Sequence, residues 1–400
     1  MSRKRILRAM ALLTVLAVLL PAARAQAQDP KSLGFKGRFV VEIRNPSSLA
    51  LESHPVVLKV DEIRAFAPDF NSYNYAIFDE TGGSYRLVPS QADDLDKDRN
   101  HEEIVFLRDL PPASTVRLAC YYSPKGGFQL MMSSPKAFAR LGAGGGNSGF
   151  YWESNLAAFK FKDGRIEVYG KLYPGLVLQK LPADDTKLQE WGMKILPAGE
   201  TPGLGGLSLW SGNARLALVS TPGTPGPEIR STVLVAGPLR ALVRAEYSGF
   251  GRGTGLDVVS VLFSAYADNA FSRQDIVVAS SPAAPKVIIA GVPRLDGEEV
   301  SFDKSQGVLA TWGRAGEAVG EAGFAVLFTP ADLAGLDEGG PGPAVRLNAG
   351  PLKKLTVWTL GGWGRGIVTA APPAAKNWAR AAAELGLKLR VPVEVRFRAN

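Results

Sequence analysis

Four acidic side chains in the segment 91–103 (QADDLDKDRNHEE) have the spacing of a calcium-binding loop. Counted from Asp94, they occupy positions 1, 3, 5 and 9, where such loops carry oxygen ligands. Position 6 is Arg99 instead of glycine and position 12 is Val105 instead of glutamate, so a complete EF-hand is excluded. The segment therefore either holds a structural Ca²⁺ or forms a solvated acidic turn between two strands. The candidate metal ligands are Asp94, Asp96, Asp98 and Glu102.

Aromatic, amide and ionic side chains cluster in four polar segments, at 69–75, 151–155, 169–171 and 190–193. Saccharide sites need flat apolar faces that pack on pyranose rings, together with amide and carboxylate groups that bond hydroxyls. The candidate substrate-binding residues are Asn71, Tyr73, Trp152, Asn155, Tyr169 and Trp191. For each aromatic residue the alternative interpretation is packing in the core.

Two charged residues in these segments are candidates for a catalytic role. Glu153 lies among Trp, Ser and Asn and could act as general acid or base, with a structural hydrogen-bonding role as the alternative. A cationic Lys171 or Arg273 could pair with the carboxylate of a uronic acid.

The residue inventory excludes several other mechanisms. The chain has two histidines, His54 and His101, and no G-x-S-x-G sequence, so a histidine-rich zinc site and a nucleophile elbow are excluded. The segment 144–149 matches G-x-G-x-x-G, but FYWE follows it instead of a helix, which argues against dinucleotide binding. The single cysteine, Cys120, lies in an apolar strand-like run and is interpreted as a buried packing residue.

The beginning of the chain has the pattern of a secretory signal. A basic start is followed by the apolar run 9–20, Pro21 and small residues, so we expect cleavage after Ala25 or Ala27 and removal of residues 1–27. Without the first 28 residues, which carry five basic residues and no acidic ones, the net charge falls from +8 to +3. We therefore expect an exported, periplasmic or extracellular protein with no nucleic-acid partner and no membrane span in the mature chain. The sequence leaves the oligomeric state open.

The elements that must position these side chains are predicted to be β-strands. Apolar and polar residues alternate at 35–45 and 239–247, and the runs 256–266 and 271–279 predict a hairpin covered on both faces. The segment KNWARAAAEL at 376–385 predicts a helix that ends at Gly386. With 44 Gly and 28 Pro as turn residues, the pattern predicts an all-β protein. We expect a large multi-sheet antiparallel sandwich with one short C-terminal helix, formed by residues 29–400 as a single domain with an internal joint at 142–149.

Five segments carry a family resemblance through their order and spacing. They are DFNSYNY (69–75), PSQADDLD (89–96), WESN (152–155), VYGK (168–171) and WGM (191–193). Together they resemble the secreted bacterial family called domain of unknown function 4861, whose members are encoded beside enzymes that degrade uronate-rich polysaccharides. The resemblance implies a carbohydrate-active protein. By analogy, it also implies a supersandwich fold like that of galactose mutarotase.

The residues and the resemblance together predict an exported carbohydrate-active protein. Its substrate would be an oligo- or polysaccharide that contains uronic acid, and its reaction that of a hydrolase, lyase or epimerase. The alternative is a non-catalytic glycan-binding or scaffold protein of the cell envelope, so that enzymatic activity itself stays open. No cofactor other than a structural Ca²⁺ is expected.

Overall fold

The computed structural model describes residues 29–126, 134–143, 145–197, 201–211, 214–219, 226–250, 256–280, 287–338, 340–350, 353–369 and 373–399. The predicted signal peptide, residues 1–27, lies outside these ranges.

The first part of the chain forms a two-sheet N-terminal sandwich. Its elements are β1 (Gly37–Asn45), β2 (Leu51–Lys59), α1 (Val60–Phe66), β3 (Tyr75–Asp79), β4 (Arg86–Val88), β5 (Ser90–Asp93), β6 (Glu103–Leu110) and β7 (Ser114–Tyr122). One sheet contains the last strand of the chain (Glu394–Arg398), β1, β7, β3 and β4 in that order, and the other has the order β2, β6, β5. The facing apolar side chains, such as Val41 and Ile77 against Leu58 and Phe106, form one buried core.

Three further sheets are formed by the remaining described strands. They are β8 (Ala137–Gly142), β9 (Gly145–Ser154), β10 (Ala158–Lys162), β11 (Arg165–Lys171), β12 (Gly192–Leu196), β13 (Leu207–Ser211), β14 (Ala214–Ala217), β15 (Glu228–Ala236), β16 (Arg240–Ser248), β17 (Leu256–Tyr266), β18 (Phe271–Ser280), β19 (Val287–Gly291), β20 (Asp296–Asp303), β21 (Val308–Arg314), β22 (Glu321–Phe328), β23 (Leu333–Asp337), β24 (Ala344–Asn348) and β25 (Lys354–Trp363). They are followed by α2 (Ala375–Leu389) and β26 (Glu394–Arg398).

Within the described ranges, the largest sheet has eight strands in the order β15, β16, β17, β18, β25, β22, β21, β20. Two five-stranded sheets, with the orders β12, β11, β10, β9, β8 and β14, β13, β19, β24, β23, share a core with one face of it. Phe159 and Leu209 from the two smaller sheets and Val243 and Phe263 from the eight-stranded sheet belong to this core. The molecule is therefore a large sandwich with its principal core between the eight-stranded sheet and the two smaller sheets.

The outer face of the eight-stranded sheet is also covered. Helix α2 packs its buried Trp378 and Ala382 there, and β2 and β6 of the N-terminal sandwich contribute Val57 and Val105 to the same cluster. β17 is thus covered on both faces, and its run Val261–Phe263 is apolar in both registers, whereas β18 carries Arg273 and Asp275 on the outer face.

The structure confirms the predicted fold class, an antiparallel multi-sheet sandwich. The predicted joint at 142–149 falls in the β8–β9 hairpin, where Gly142 pairs with Gly145. The predicted end of the C-terminal helix is wrong, because α2 continues through the buried Gly386 to Leu389. A Cβ at 386 would lie 3.0 Å from the guanidinium of Arg390, the far end of a flexible side chain.

Candidate functional site

The two predicted catalytic residues meet, but in the interior. Lys171 Nζ lies 2.6 Å from Glu153 Oε2 and also donates to the carbonyl oxygens of Ser154 and Gly175. The Glu153 carboxylate accepts the backbone N–H groups of Val177 and Leu178, and both charged side chains are 0% exposed. Burial acts to lower the pKa of Lys171 and Glu153 acts to raise it. Burial has the larger effect, so the pKa of Lys171 is lowered.

This arrangement corrects the interpretation of the pair as accessible catalytic groups. Every strong bonding position of the carboxylate and the ammonium is used by the protein itself, and neither group faces solvent. A general acid or base must reach the substrate directly or through one water. The geometry is that of a clamp holding the loop 172–178, which the sequence analysis had given as the alternative role for Glu153.

The interpretation of Trp152 and Tyr169 as substrate-binding residues is also corrected, because both are packing residues. Trp152 is fully buried, stacks on Phe159 with 5.2 Å between ring centroids, and donates its indole N–H to Ser272 Oγ. Tyr169 is 2% exposed and donates its hydroxyl to Asp185. Burial, reinforced by Asp185, strongly raises the pKa of Tyr169. Neither ring offers a face to a ligand.

Asn155 and Trp191 lie nearer the surface. The amide of Asn155 donates to Asp268 Oδ1 over 2.9 Å and accepts the Asp268 backbone N–H, so that it binds the turn between β17 and β18. Trp191 is partly exposed and packs beside Tyr169, with ring centroids 6.1 Å apart.

Tyr73 contacts the acidic loop, residues 94–102, and Asn71 donates to the carbonyl oxygens of Pro124 and Gly126, so both lie apart from the Glu153 group. Tyr73 is 44% exposed, its ring lies 4.3 Å from that of His101, and its hydroxyl donates to the carbonyl of Arg99. Asn71 accepts the Tyr73 N–H. The predicted site residues therefore fall into separate groups and do not converge on one hollow.

The acidic loop brings its carboxylates together. One oxygen from each of Asp94, Asp96, Asp98 and Glu102 lies within 4.8 Å of the others. Lys97 (φ 69°) and Arg99 (φ 75°) adopt the left-handed conformation that curls the chain, and their N–H groups donate to Asp94. Four carboxylate groups at this separation form a donor set suited to a hard cation such as Ca²⁺.

An open cleft lies where the N-terminal sandwich meets the outer face of the eight-stranded sheet. This seam cleft has a volume of about 250 Å³. Its lining includes His54, Tyr266, Phe271, Arg273, Trp358 and Val393.

Four polar or aromatic residues, Tyr266, Phe271, Arg273 and Trp358, form the floor of the seam cleft on the adjacent strands β17, β18 and β25. Arg273 lies directly opposite Trp358 on one side and Ser264 on the other, while Tyr266 follows Ser264 by two residues. Directly opposite residues and those two apart project from the same face of a sheet, which places Tyr266, Arg273 and Trp358 side by side.

The seam cleft combines aromatic rings with the guanidinium of Arg273. The Arg273 side chain is 31% exposed, and its Nε and Nη2 each lie 3.1 Å from Asp275 Oδ1. Burial acts to lower the pKa of Arg273, but Asp275 and Tyr266 outweigh it and raise the pKa. Burial lowers the pKa of His54 to about 4, so its imidazole is neutral at neutral pH. Among the described residues that line the cleft there is no aspartate or glutamate.

Residues 43–340 match the family model described as "Domain of unknown function (DUF4861)". The chain belongs to the DUF4861 family. Of the cleft floor, Tyr266 and Arg273 lie within the part of this DUF4861 chain that the model matches, and Trp358 lies beyond it. No curated protein matches the sequence.

Two solved structures from Enterococcus faecalis resemble this DUF4861 chain. One is described as a protein in glycosyl hydrolase family 38, with 8% identity, a TM-score of 0.50 and coverage of 90% of this chain and 47% of that chain. The other, an alpha-mannosidase from strain V583, has 8% identity and a TM-score of 0.47, with coverage of 90% and 46%. The DUF4861 chain thus spans about half the length of these proteins, and the first likeness shows the fold alone. No described helix has the length and apolar character needed to cross a membrane.

A second cavity of the DUF4861 protein, of about 270 Å³, adjoins the seam cleft at β2, where Ser53 lines it and the next residue, His54, lines the cleft. It is lined by charged groups that include Arg108, Asp109, Lys136 and Asp268. Asn155 reaches this cavity only through its bonds to Asp268.

Sequence reasoning had named Arg273 as a cation for a carboxylate but missed its neighbours. Trp358, Tyr266 and His54 lie in no recognisable motif. The only signal available was that Tyr266 and Arg273 flank the turn of the predicted hairpin 256–279.

Proposed function

We propose that this DUF4861 protein is an exported, carbohydrate-active protein that takes uronic-acid-containing oligo- or polysaccharides at the seam cleft. The observation that carries the proposal is the placement of Trp358 directly opposite Arg273 on the cleft floor. An indole face packs on the C–H face of a pyranose ring, and a guanidinium donates charge-assisted hydrogen bonds to a carboxylate.

The size of the cleft defines what it accommodates. Sites for drug-sized ligands measure about 300–1,000 Å³, and the seam cleft, at about 250 Å³, lies just below that range. A cleft of this size suits a single sugar ring, so the proposed ligand is one uronate residue of a chain. The description of the first structural neighbour as a family 38 glycosyl hydrolase protein supports work on carbohydrate.

Calorimetry with an oligogalacturonide tests this proposal. The comparison ligand is the same oligosaccharide with its carboxylates reduced to alcohols. We expect the wild-type protein to prefer the acidic form and Arg273→Gln to weaken its binding by about tenfold or more, since a charged hydrogen bond contributes about 1.5–3 kcal/mol. The matched control is Arg230→Gln, an exposed arginine on β15. Equal affinity for both ligands, or no binding of either, would contradict the proposal.

A non-catalytic glycan-binding protein is the second candidate function. It is favoured by the lining of the seam cleft, where no described residue is a carboxylic acid. Glycoside hydrolysis in most families needs two such groups flanking the bond. Analysis of oligogalacturonide products after prolonged incubation separates the candidates, because a binding protein returns the ligand unchanged.

Export is the remaining part of the proposal, with a periplasmic or extracellular location. N-terminal sequencing of protein recovered outside the cytoplasm should begin at Gln26 or Gln28. An intact Met1 on the recovered protein would contradict it.

A further inference from the structure

Tyr266 occupies an unusual position on the floor of the seam cleft. It is directly opposite Arg240 on β16 and diagonal to Arg273 on β18, so its phenol stands between two guanidinium groups. The residue is 5% exposed and lines the cleft. The two arginines have carboxylate partners of their own, Asp93 and Glu103 for Arg240 and Asp275 for Arg273.

Tyr266 lines the seam cleft, where a bound ligand can supply a hydrogen-bond partner to its hydroxyl. The guanidinium-bearing residues Arg240 and Arg273 flank Tyr266 on the neighbouring strands. A tyrosine so placed can exchange protons with a bound ligand.

The position of Arg273 determines which proton is in question. In a uronate, the carboxylate carbon is attached to C5, so a guanidinium that binds the carboxylate brings C5 to the cleft floor. Neutralising the carboxylate makes the C5 proton easier to remove, because the charge left on carbon spreads onto the carboxylate oxygens. Asp275 is nearer to Arg273 but is paired with its guanidinium and is not among the described lining residues. Tyr266 lines the seam cleft on the same face, two residues along β17 from Ser264, which lies opposite Arg273.

We propose that Tyr266 is the catalytic residue of a β-elimination on a 4-linked uronate whose carboxylate is bound by Arg273. This inference rests on the proposed function, since it requires the uronate to lie in the seam cleft. The phenolate of Tyr266 takes the C5 proton, the electron pair left behind forms the C4=C5 double bond, and the C4–O bond to the neighbouring sugar breaks. The leaving oxygen then takes the proton back from Tyr266. The residue is regenerated, and no water, oxidant or metal is consumed.

The absence of carboxylic acids from the described lining agrees with this reaction class. Elimination needs one proton-transfer group and one neutralising cation, whereas hydrolysis needs an acid and a base that activates water or attacks the sugar. The described lining of the seam cleft provides a proton-transfer group and a cation, but no carboxylic acid pair for hydrolysis.

The test compares wild-type protein with Tyr266→Phe on an oligogalacturonide. The variant removes the hydroxyl and keeps the ring in its packing, and Tyr173→Phe is the control because Tyr173 is 50% exposed. We expect wild-type protein to form a product with the ultraviolet absorbance of a C4=C5 double bond. The kcat of Tyr266→Phe should fall about 100-fold or more, as for loss of a general acid–base group. The affinity for the oligosaccharide and the unfolding midpoint should stay at wild-type values.

Three outcomes would overturn the inference while leaving the proposed function intact. They are binding without any product, saturated products with new reducing ends, and full activity in Tyr266→Phe. Loss of all uronate binding by the wild-type protein would instead contradict the proposed function. A second variant, Arg273→Lys, should raise KM more than it lowers kcat, because an ammonium keeps the charge but loses the planar pairing.

Discussion

Lys171 Nζ lies 2.6 Å from Glu153 Oε2, and this ion pair fixes the loop after β11 from within the protein. Its partners include backbone groups of that loop, at Gly175, Val177 and Leu178. A polar pair that sequence reasoning associated with catalysis is therefore part of the scaffold of the sheet formed by β8–β12.

Replacing Lys171 by Met should destabilise the protein strongly. The substitution leaves the Glu153 carboxylate buried and uncompensated, which typically costs about 3–5 kcal/mol. Urea unfolding checks this, with Lys187→Met as the control, because the Lys187 side chain is 77% exposed. A second variant, Lys171→Met combined with Glu153→Leu, should recover part of the loss. A single variant as stable as wild type would show that the pair does not act as a clamp.

Arg240 should hold the N-terminal sandwich against the eight-stranded sheet. Its guanidinium bonds Asp93 through Nε at 2.8 Å and Glu103 through Nη2 at 2.7 Å, and Gln91 accepts its backbone N–H. We expect Arg240→Ala to cost several kcal/mol, because two acidic groups lose their partner. Hydrogen exchange should then accelerate at the amides of β5 and β6 more than at those of β9 and β10. Uniform exchange in all four strands would contradict this role for Arg240.

Acid should weaken the N-terminal sandwich between about pH 4 and pH 2. Burial acts to raise the pKa of Asp79, but hydrogen bonds from Thr81 and the guanidinium of Arg108 outweigh it and lower the pKa to about 2. A lowered carboxyl pKa stabilises the fold above the unfolded value of 3.8, and that stability is lost as pH falls through the folded value. The loss amounts to roughly 2 kcal/mol.

Unfolding free energies measured across that range should depend less on pH in Asp79→Asn than in wild type. The control is Asp61→Asn, which changes an exposed residue of α1. If the two variants follow the same pH dependence, Asp79 does not provide this link between β3 and β6.

Calcium should stabilise the protein through the acidic loop. A cation at about 100 times its dissociation constant adds about 2.7 kcal/mol to the free energy of unfolding. We therefore expect a higher Tm with Ca²⁺ than with a chelator, and no difference in Asp94→Asn combined with Asp98→Asn. Coincident melting curves for wild type under both conditions would support the solvated turn instead.

The antiparallel sandwich was predictable because strand alternation is local. A residue in a strand projects opposite to its neighbours whatever the rest of the chain does, so the run 239–247 already indicated β16. The acidic loop was predictable for the same reason. Its four carboxylates lie within nine residues of one another and converge as soon as the chain turns at Lys97 and Arg99.

The seam cleft could not be predicted in this way, because it depends on which strands become neighbours. Trp358 follows Arg273 by more than 80 residues and comes opposite it only because β25 pairs with β18. His54 joins them only because the N-terminal sandwich packs on that face of the sheet. Burial has the same origin, since Glu153 and Tyr73 both lie in polar, aromatic segments, yet one is sealed in and the other is exposed.

The sequence alone determined the class of fold, the turns and the short-range acidic loop, because these arise from interactions between residues close along the chain. Strand order and sheet docking decided which side chains face the seam cleft and which face the core. These are long-range contacts, and no periodicity or spacing in the sequence specifies their partners.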